Sequence, residues 1–565
     1  MEAFSAQKDN KMEKLQVNDV LAQAFGAEGV EVIFALMGDA NMYWAAKMAD
    51  KYGARVIHAR HEHCACAMAD GYARATGKVG VATTTCGPGF TQIMTALTIA
   101  ARGNVPMVIF AGDAPMGSAW YLQQIDMAPL TLATGAHYIG VKSIDRLLDN
   151  VREAFQIAQV ERRPVVLSIP MDMQAQEYPY MADYTPSSDL IPTAQRPVPD
   201  PVVVDRLIDM IAEAEKPIIV GGRGATRSGA REALETLAER SGALLATSLY
   251  GKGLFDGNPY AMDIAGAFAS DFARERFAES DLVIGVGAGL GHYTTEGGYL
   301  YPGAQVAQID INPRGLWQGL RTADLHIRAD AKAAAEAITS RMDERGVSRS
   351  GFRTSAMADQ IAQDTPDGKV FPVQTNMVDP RKMILELDQV IPKDWDIVVG
   401  GGHYFSIAMT HMTGRAADKY HVVNDFGAIG SALGAAIGIA AARNDGKVAL
   451  IEGDGSLLMH VQELETIRRQ GIKLLINIMN DGGYGAEFHK FRAHDIEAKQ
   501  AIHGRGDLAG VATGFGLRGS TVTQMGSFPK LFEDHQNANI ATLWDIHTDD
   551  KIPSRAYRRV HYGEE

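Results

Sequence analysis

Short apolar runs alternate with stretches of helical spacing along most of the chain, and the pattern is sharpest between Val448 and Glu487. Residues 448–452 form an apolar run that stops at Gly453-Asp454-Gly455-Ser456. Leu457, Leu458, Val461, Leu464 and Ile467 then recur at helical spacing, with charges between them, until Gly471. Residues 472–479 are a second apolar run, ending in Asn480-Asp481-Gly482-Gly483. Strand, helix, strand predicts two parallel neighbours. Both polar ends then lie at the carboxyl edge of one sheet, where open α/β sheets bind ligands.

The same alternation divides the chain. Residues 13–180 carry strand candidates at 32–37, 80–86, 106–111 and 164–169, with a helix at 64–75 terminated by Gly77. A proline-rich stretch without periodicity, 181–201, is a predicted linker. Residues 202–339 form a second unit with strands at 217–220, 244–247, 282–286 and 305–309. A polar segment, 340–376, is the second predicted linker, and 377–565 is the third unit. Residues 1–12 are polar and mixed in charge and are expected to be disordered. The expected fold is α/β with three doubly wound parallel-sheet domains, the first and third sharing one layout.

Composition narrows the function. In 565 residues, 46% hydrophobic and 22% charged, the net charge is −14, which argues against a nucleic-acid surface. The apolar stretch 428–442 is too short to span a bilayer, and no signal-peptide core is present, so a cytoplasmic protein without a membrane partner is expected. Cys64, Cys66 and Cys86 are the only cysteines, too few for a disulfide framework. His63, Cys64 and Cys66 imitate a metal cluster, but helical spacing puts the two thiols on different faces, and the metal reading is rejected.

Asp454 and Asp481 carry the candidate chemistry. The predicted crossover brings the two carboxylates together beside glycine-rich backbone, a donor set suited to Mg²⁺ or Ca²⁺ shared with a ligand's phosphates. The N–H groups of Gly455 and Ser456 can receive a phosphate oxygen. GDGS followed at this distance by Asn-Asp resembles the diphosphate motif of thiamine diphosphate (ThDP) enzymes, in particular the acetolactate synthase and 2-oxo acid decarboxylase group. The resemblance implies that Asp454, the Asp481 side chain and the Gly483 carbonyl hold Mg²⁺, with Gly453, Gly455, Ser456 and Tyr484 around the cofactor. The family usually has Asn where this chain has Asp481.

Arg60 to Gly89 resembles the family's pyrimidine-domain signature. It implies that Glu62 binds a ring nitrogen of the cofactor's aminopyrimidine and activates it. Asn424 to Gly430 resembles the segment that props the cofactor into a V; Ile429 matches the wedge, and Gly427 and its neighbours let backbone approach the ring. The family shares its site between subunits, which implies a homodimer or homotetramer.

On the substrate side, Asp39 in LMGDAN resembles a decarboxylase aspartate, Gln123 in YLQQIDM a synthase glutamine, Glu487 a decarboxylase glutamate and His403 the synthases' GQH stretch. Asn104 is taken to stand at the catalytic histidine position of benzoylformate decarboxylase. Gly285 to Gly291 superficially resembles a dinucleotide fingerprint, but the synthases' FAD segment is not recognisable, so the central domain is expected to be a scaffold without FAD. The implied function is ThDP- and Mg²⁺-dependent non-oxidative decarboxylation of a 2-oxo acid, followed by protonation or by carboligation as in acetolactate synthase. Two rivals stand beside it: a ThDP-dependent C–C lyase acting on an acyloin (a 2-hydroxy ketone) or a 2-hydroxyacyl-CoA, and an inert cofactor-binding or regulatory subunit.

Overall fold

The computed structural model describes residues 15–181, 183–192, 195–313 and 315–564, apart from the Trp317 side chain. The predicted disordered segment 1–12 lies outside the described residues. Three six-stranded sheets, all parallel, organise the chain. In the first, Arg55–His58, Val32–Ala35, Gly80–Thr84, Met107–Asp113, Pro164–Pro170 and His137–Gly140 lie side by side in that order. The third repeats this order with Tyr420–Val423, Asp396–Gly400, Val448–Gly453, Leu475–Asn480, Thr542–His547 and Arg518–Val522. The shared layout expected for the first and third units is therefore present.

The central sheet is ordered differently: Leu325–Arg328, Gln305–Asp310, Leu282–Val286, Pro217–Gly221, Leu244–Thr247 and Ala261–Ile264. Its chain direction of travel reverses between Leu282–Val286 and Pro217–Gly221, the switch-point layout of dinucleotide folds.

Burial on both faces explains why these strands read as continuous apolar runs. In Leu282–Val286, Leu282, Ile284 and Val286 pack into one core with Ile219 and Leu245. Val283 faces the opposite core with Ile218, Val220 and Leu244. Each such side chain contributes about 1.5–3 kcal/mol on leaving water.

Two compact units separate within the chain, Met1–Pro192 with Ile437–Ala442, and Thr193–Ala436 with Arg443–Glu565. The first holds the first sheet and the second holds the other two. The stretch 340–376 contains a helix, Ser355–Gln363, started by Thr354, whose hydroxyl accepts from the Met357 amide. The single helix expected from Leu457 to Ile467 is two, Asp454–Met459 and Glu463–Arg469. They part at His460, which leaves helical geometry while its ring bonds the Gly430 carbonyl. No described helix is long and apolar enough to cross a membrane.

Candidate active site

In the first unit three loops meet at the carboxyl edge of the sheet. Glu62 opens helix Glu62–Thr76, behind the cap His61, whose ring accepts from the His63 amide at 3.1 Å. A carboxylate there faces the positive end of the helix. Gly77, with φ 72°, ends the helix where predicted. A Cβ on Gly89 would lie 3.2 Å from Glu62 Oε1, so the missing side chain lets the 87–89 turn pass the carboxylate. Gly87, with φ 58°, packs onto the Gln123 carbonyl, which also accepts from the Cys86 thiol at 3.3 Å.

Gly38 abuts Thr85, and buried Asn41 fixes this turn by accepting from the Gly38 amide and donating to the Leu36 carbonyl and Thr83. Exposed Asp39 is thereby held beside the turn that touches Glu62 and Gln123. Asn104 does not join them. It sits just after helix Met94–Arg102 and before strand Met107–Asp113, at the amino edge of the sheet, away from the loops that carry Glu62. The residues that follow strand Gly80–Thr84 at the correct edge are Thr85 and Cys86. Motif matching misplaced this position because it ignored which edge of the sheet a loop occupies. Cys64, Cys66 and Cys86 are buried thiols in no disulfide, and no metal-binding cluster occurs among the described residues.

In the second unit, Gly453 pairs with Met479 in the parallel register, so Asp454 and Asp481 leave adjacent strands at one edge. Both are pushed above the ordinary carboxylate range. Burial raises Asp454 to about 6, with His503 opposing, and burial plus the Asp454 charge raises Asp481. The buried Asp454 Oδ2 has no hydrogen-bond partner, and the His503 ring stands 3.8 Å from it. An orphaned buried carboxylate oxygen facing a second carboxylate fits a divalent cation. Such an ion would draw its other ligands from backbone carbonyls such as Gly483, from water, or from phosphate oxygens. Gly453 and Gly455 keep the approach open, since a Cβ at either would meet the ring of Tyr404 or Tyr484 at 2.9 Å.

His403 and Gly485 border the same corner: a Cβ on Gly485 would lie 2.5 Å from Asp481 Oδ2 and 3.0 Å from His403 Cβ. His403 Nε2 accepts from the Ser554 amide at 2.9 Å, so Nδ1 carries its proton. Burial lowers it to about 3, which keeps the ring neutral. It packs on His489, 4.3 Å between ring centres, and on Tyr557 of helix Arg555–Tyr562. Glu487, on helix Gly485–Ala493, is largely exposed. Ile429 is half-buried in the bend after strand Tyr420–Val423, and Gly427 has φ 74° with open space beside it.

Three residues were not singled out from sequence: Glu452, Tyr404 and the functional setting of His503. Glu452 is wholly buried directly before GDGS, where an apolar strand residue is the norm; that buried acid was the available signal. His503 and Gly504 both donate to the Gly482 carbonyl, at 3.0 and 2.9 Å, a contact no local pattern reveals.

The raised carboxyl groups set a pH dependence. The folded chain holds protons at Asp454 and Asp481 that the unfolded chain releases, so stability falls as pH rises from 3.8 through about 6 and beyond. In chelator-treated protein, Asp481→Asn is therefore expected to raise the unfolding midpoint by a few degrees at pH 8, and to leave it nearly unchanged at pH 4. Thermal unfolding at the two pH values checks this; a variant less stable at pH 8 would show that Asp481 is paired internally instead.

Comparison with known proteins follows this geometry. The descriptions "Thiamine pyrophosphate enzyme, N-terminal TPP binding domain", "central domain" and "C-terminal TPP binding domain" match residues 15–130, 204–338 and 400–546. An acetolactate synthase of Arthrospira platensis is 30% identical over 521 residues, 89% of each chain. The acetolactate synthase large subunit of Parasynechococcus marenigrum is 29% identical over 93% of this chain and 86% of its own. A solved thiamine diphosphate-dependent 4-hydroxybenzoylformate decarboxylase of Rhodococcus jostii superposes with a TM-score of 0.78 at 21% identity, covering 95% of this chain and 99% of its own, a likeness of fold. Three successive domains and relatives aligned over nearly the whole chain carry one conclusion: this chain belongs to the thiamine pyrophosphate enzymes, within their acetolactate synthase-like group.

Proposed function

We propose that the protein catalyses ThDP- and Mg²⁺-dependent non-oxidative decarboxylation of a 2-oxo acid, with protonation or carboligation of the product fragment. The observation that carries this reading is the buried carboxylate pair Asp454 and Asp481 at one strand edge, in a chain aligned with acetolactate synthases over most of its length. When bound, ThDP would supply a carbon nucleophile for the ketone, once its proton is removed, and an electron sink for the pair left behind as CO₂ departs.

The chain's own residues hold and tune it. Asp454, Asp481 and the Gly483 carbonyl hold Mg²⁺, while the amides of Gly455 and Ser456 take diphosphate oxygens. Glu62 binds the aminopyrimidine nitrogen and acts there as the activating acid. Ile429 props the bend, and Tyr484, whose ring edge lies against Gly455, borders the diphosphate. Asp39, Gln123, His403 and Glu487 serve the substrate; neutral His403 offers a hydrogen bond from Nδ1 and no charge. The active unit is a homodimer or homotetramer sharing its sites between chains. The glycines at the central switch point close it with backbone: Gly222 donates to the Val286 carbonyl and Gly224 to that of Gly287, each at 2.9 Å, which supports a scaffold without FAD.

The test is CO₂ release by protein loaded with ThDP and Mg²⁺, given pyruvate and then benzoylformate, with the products identified. Release with acetolactate or acetoin establishes the carboligase, and release with free aldehyde the decarboxylase. Cleavage of acyloins or 2-hydroxyacyl-CoA without CO₂ from any 2-oxo acid would overturn the reading in favour of a lyase.

A further inference from the structure

The loop that carries Ile429 is tied down at both ends, and the tie at its start comes from the central domain. Arg223 follows strand Pro217–Gly221 at the switch point, where dinucleotide folds bind phosphate. Here its guanidinium lies over the Tyr250 ring, 3.9 Å from the ring centre, and donates to Asp425 Oδ1 at 2.6 Å. The Asp425 side chain is only 3% exposed, so its charge depends on partners such as this one.

At the other end Gly430 is gripped on both polar atoms. Its amide donates to Ser456 Oγ at 2.8 Å, and its carbonyl accepts from His460 Nδ1 at 2.8 Å. The Ser456 hydroxyl spends its one proton on Glu452 Oε1, at 2.6 Å, which leaves a lone pair turned towards Gly430. Gly430 has φ 92°, and a Cβ there would press on Met459 and His460 at 3.1 Å. Between the ties, Gly427 has open space beside it, while Asn424 and the Ala428 carbonyl lie close against Gly401.

We propose that Arg223, Ser456 and His460 are positioning residues that clamp loop 424–430 and so set the height of Ile429 beneath the bent cofactor. This rests on the ThDP reading above. It assigns the central domain a part in activation that needs no bound nucleotide, and gives the Ser456 hydroxyl a task separate from its amide. A wedge displaced by a fraction of an ångström still permits diphosphate binding through Asp454 and Asp481. It would slow activation of the bound cofactor without loosening its diphosphate anchor.

The experiment measures two quantities on full-length protein: ThDP affinity with Mg²⁺, and the exchange of the bound cofactor's C2 proton with D₂O, read by NMR after acid quench. Arg223→Met and His460→Phe are expected to change the Kd by less than about threefold while slowing C2 exchange by up to about 10²-fold, with kcat falling in parallel and KM unchanged. Arg223→Lys should recover part of the rate. The charge-swapped pair Arg223→Asp with Asp425→Arg should recover more than either single change, which keeps the test valid if Arg223→Met folds poorly. Exchange at the wild-type rate in both variants would overturn the clamp, as would affinity and exchange falling by one common factor. Failure of the functional reading shows earlier and separately, as unsubstituted protein that binds no ThDP.

Discussion

Glu62→Gln is expected to bind ThDP with nearly unchanged affinity and to lose turnover by about 10²–10⁴-fold. In the proposed site, different parts of the chain govern these two quantities. Glu62 belongs to the first unit, where the Gly87–Gly89 turn passes its carboxylate, whereas the carboxylate pair that would anchor the diphosphate belongs to the second. Glutamine has the same length and shape, and as a first-turn residue it gives up only about 0.3–1 kcal/mol of dipole interaction. What it cannot do is give and take a proton at the aminopyrimidine nitrogen. Steady-state kinetics at saturating cofactor, together with a ThDP titration, read both quantities. A variant retaining more than about a tenth of the wild-type kcat would remove Glu62 from the activating role. Glu62→Asp, which keeps the acid but withdraws it by one methylene, should fall between the two.

Legibility of the fold followed burial. Strands Leu244–Thr247 and Leu282–Val286 appear at the bounds read from sequence because both faces are buried and the apolar run is unbroken. The six edge strands, Arg55–His58, His137–Gly140, Ala261–Ile264, Leu325–Arg328, Tyr420–Val423 and Arg518–Val522, gave no such run. Each has a single neighbour, and Arg55–His58 buries only one of its four residues, so in that strand neither a continuous nor an alternating pattern forms. Two interior strands, Asp396–Gly400 and Thr542–His547, were also hidden: buried Asp545 interrupts the second, and the first, opening on buried Asp396, leaves an apolar run of only four residues. That Asp454 and Asp481 follow adjacent strands at one edge was legible because strand ends and turns are local features. The partners of Gly430 were not, since the ring that breaks the 457–467 helix answers to a carbonyl thirty residues away.

The second large effect is expected at Asp454, and it takes opposite signs in the two states of the protein. Asp454→Asn should abolish Mg²⁺-dependent ThDP retention while making the cofactor-free protein more stable at pH 8. The cofactor-free gain follows from the burial that raises Asp454 to about 6 and from its repulsion of Asp481; a neutral amide of the same shape relieves both. The loss follows from Oδ2, a buried oxygen with no hydrogen-bond partner, which in the proposed site is a direct ligand to the ion. In wild type, ThDP and Mg²⁺ at 100 times Kd should add about 2.7 kcal/mol to the unfolding free energy. In Asp454→Asn that increment should vanish, and activity with it. A residue that merely supports the loop would lower the stability of the cofactor-free protein and leave the ligand-induced increment in place. Thermal unfolding with and without ThDP and Mg²⁺ separates the two roles, because a ligand-binding carboxylate is costly to the empty fold and a structural one is not.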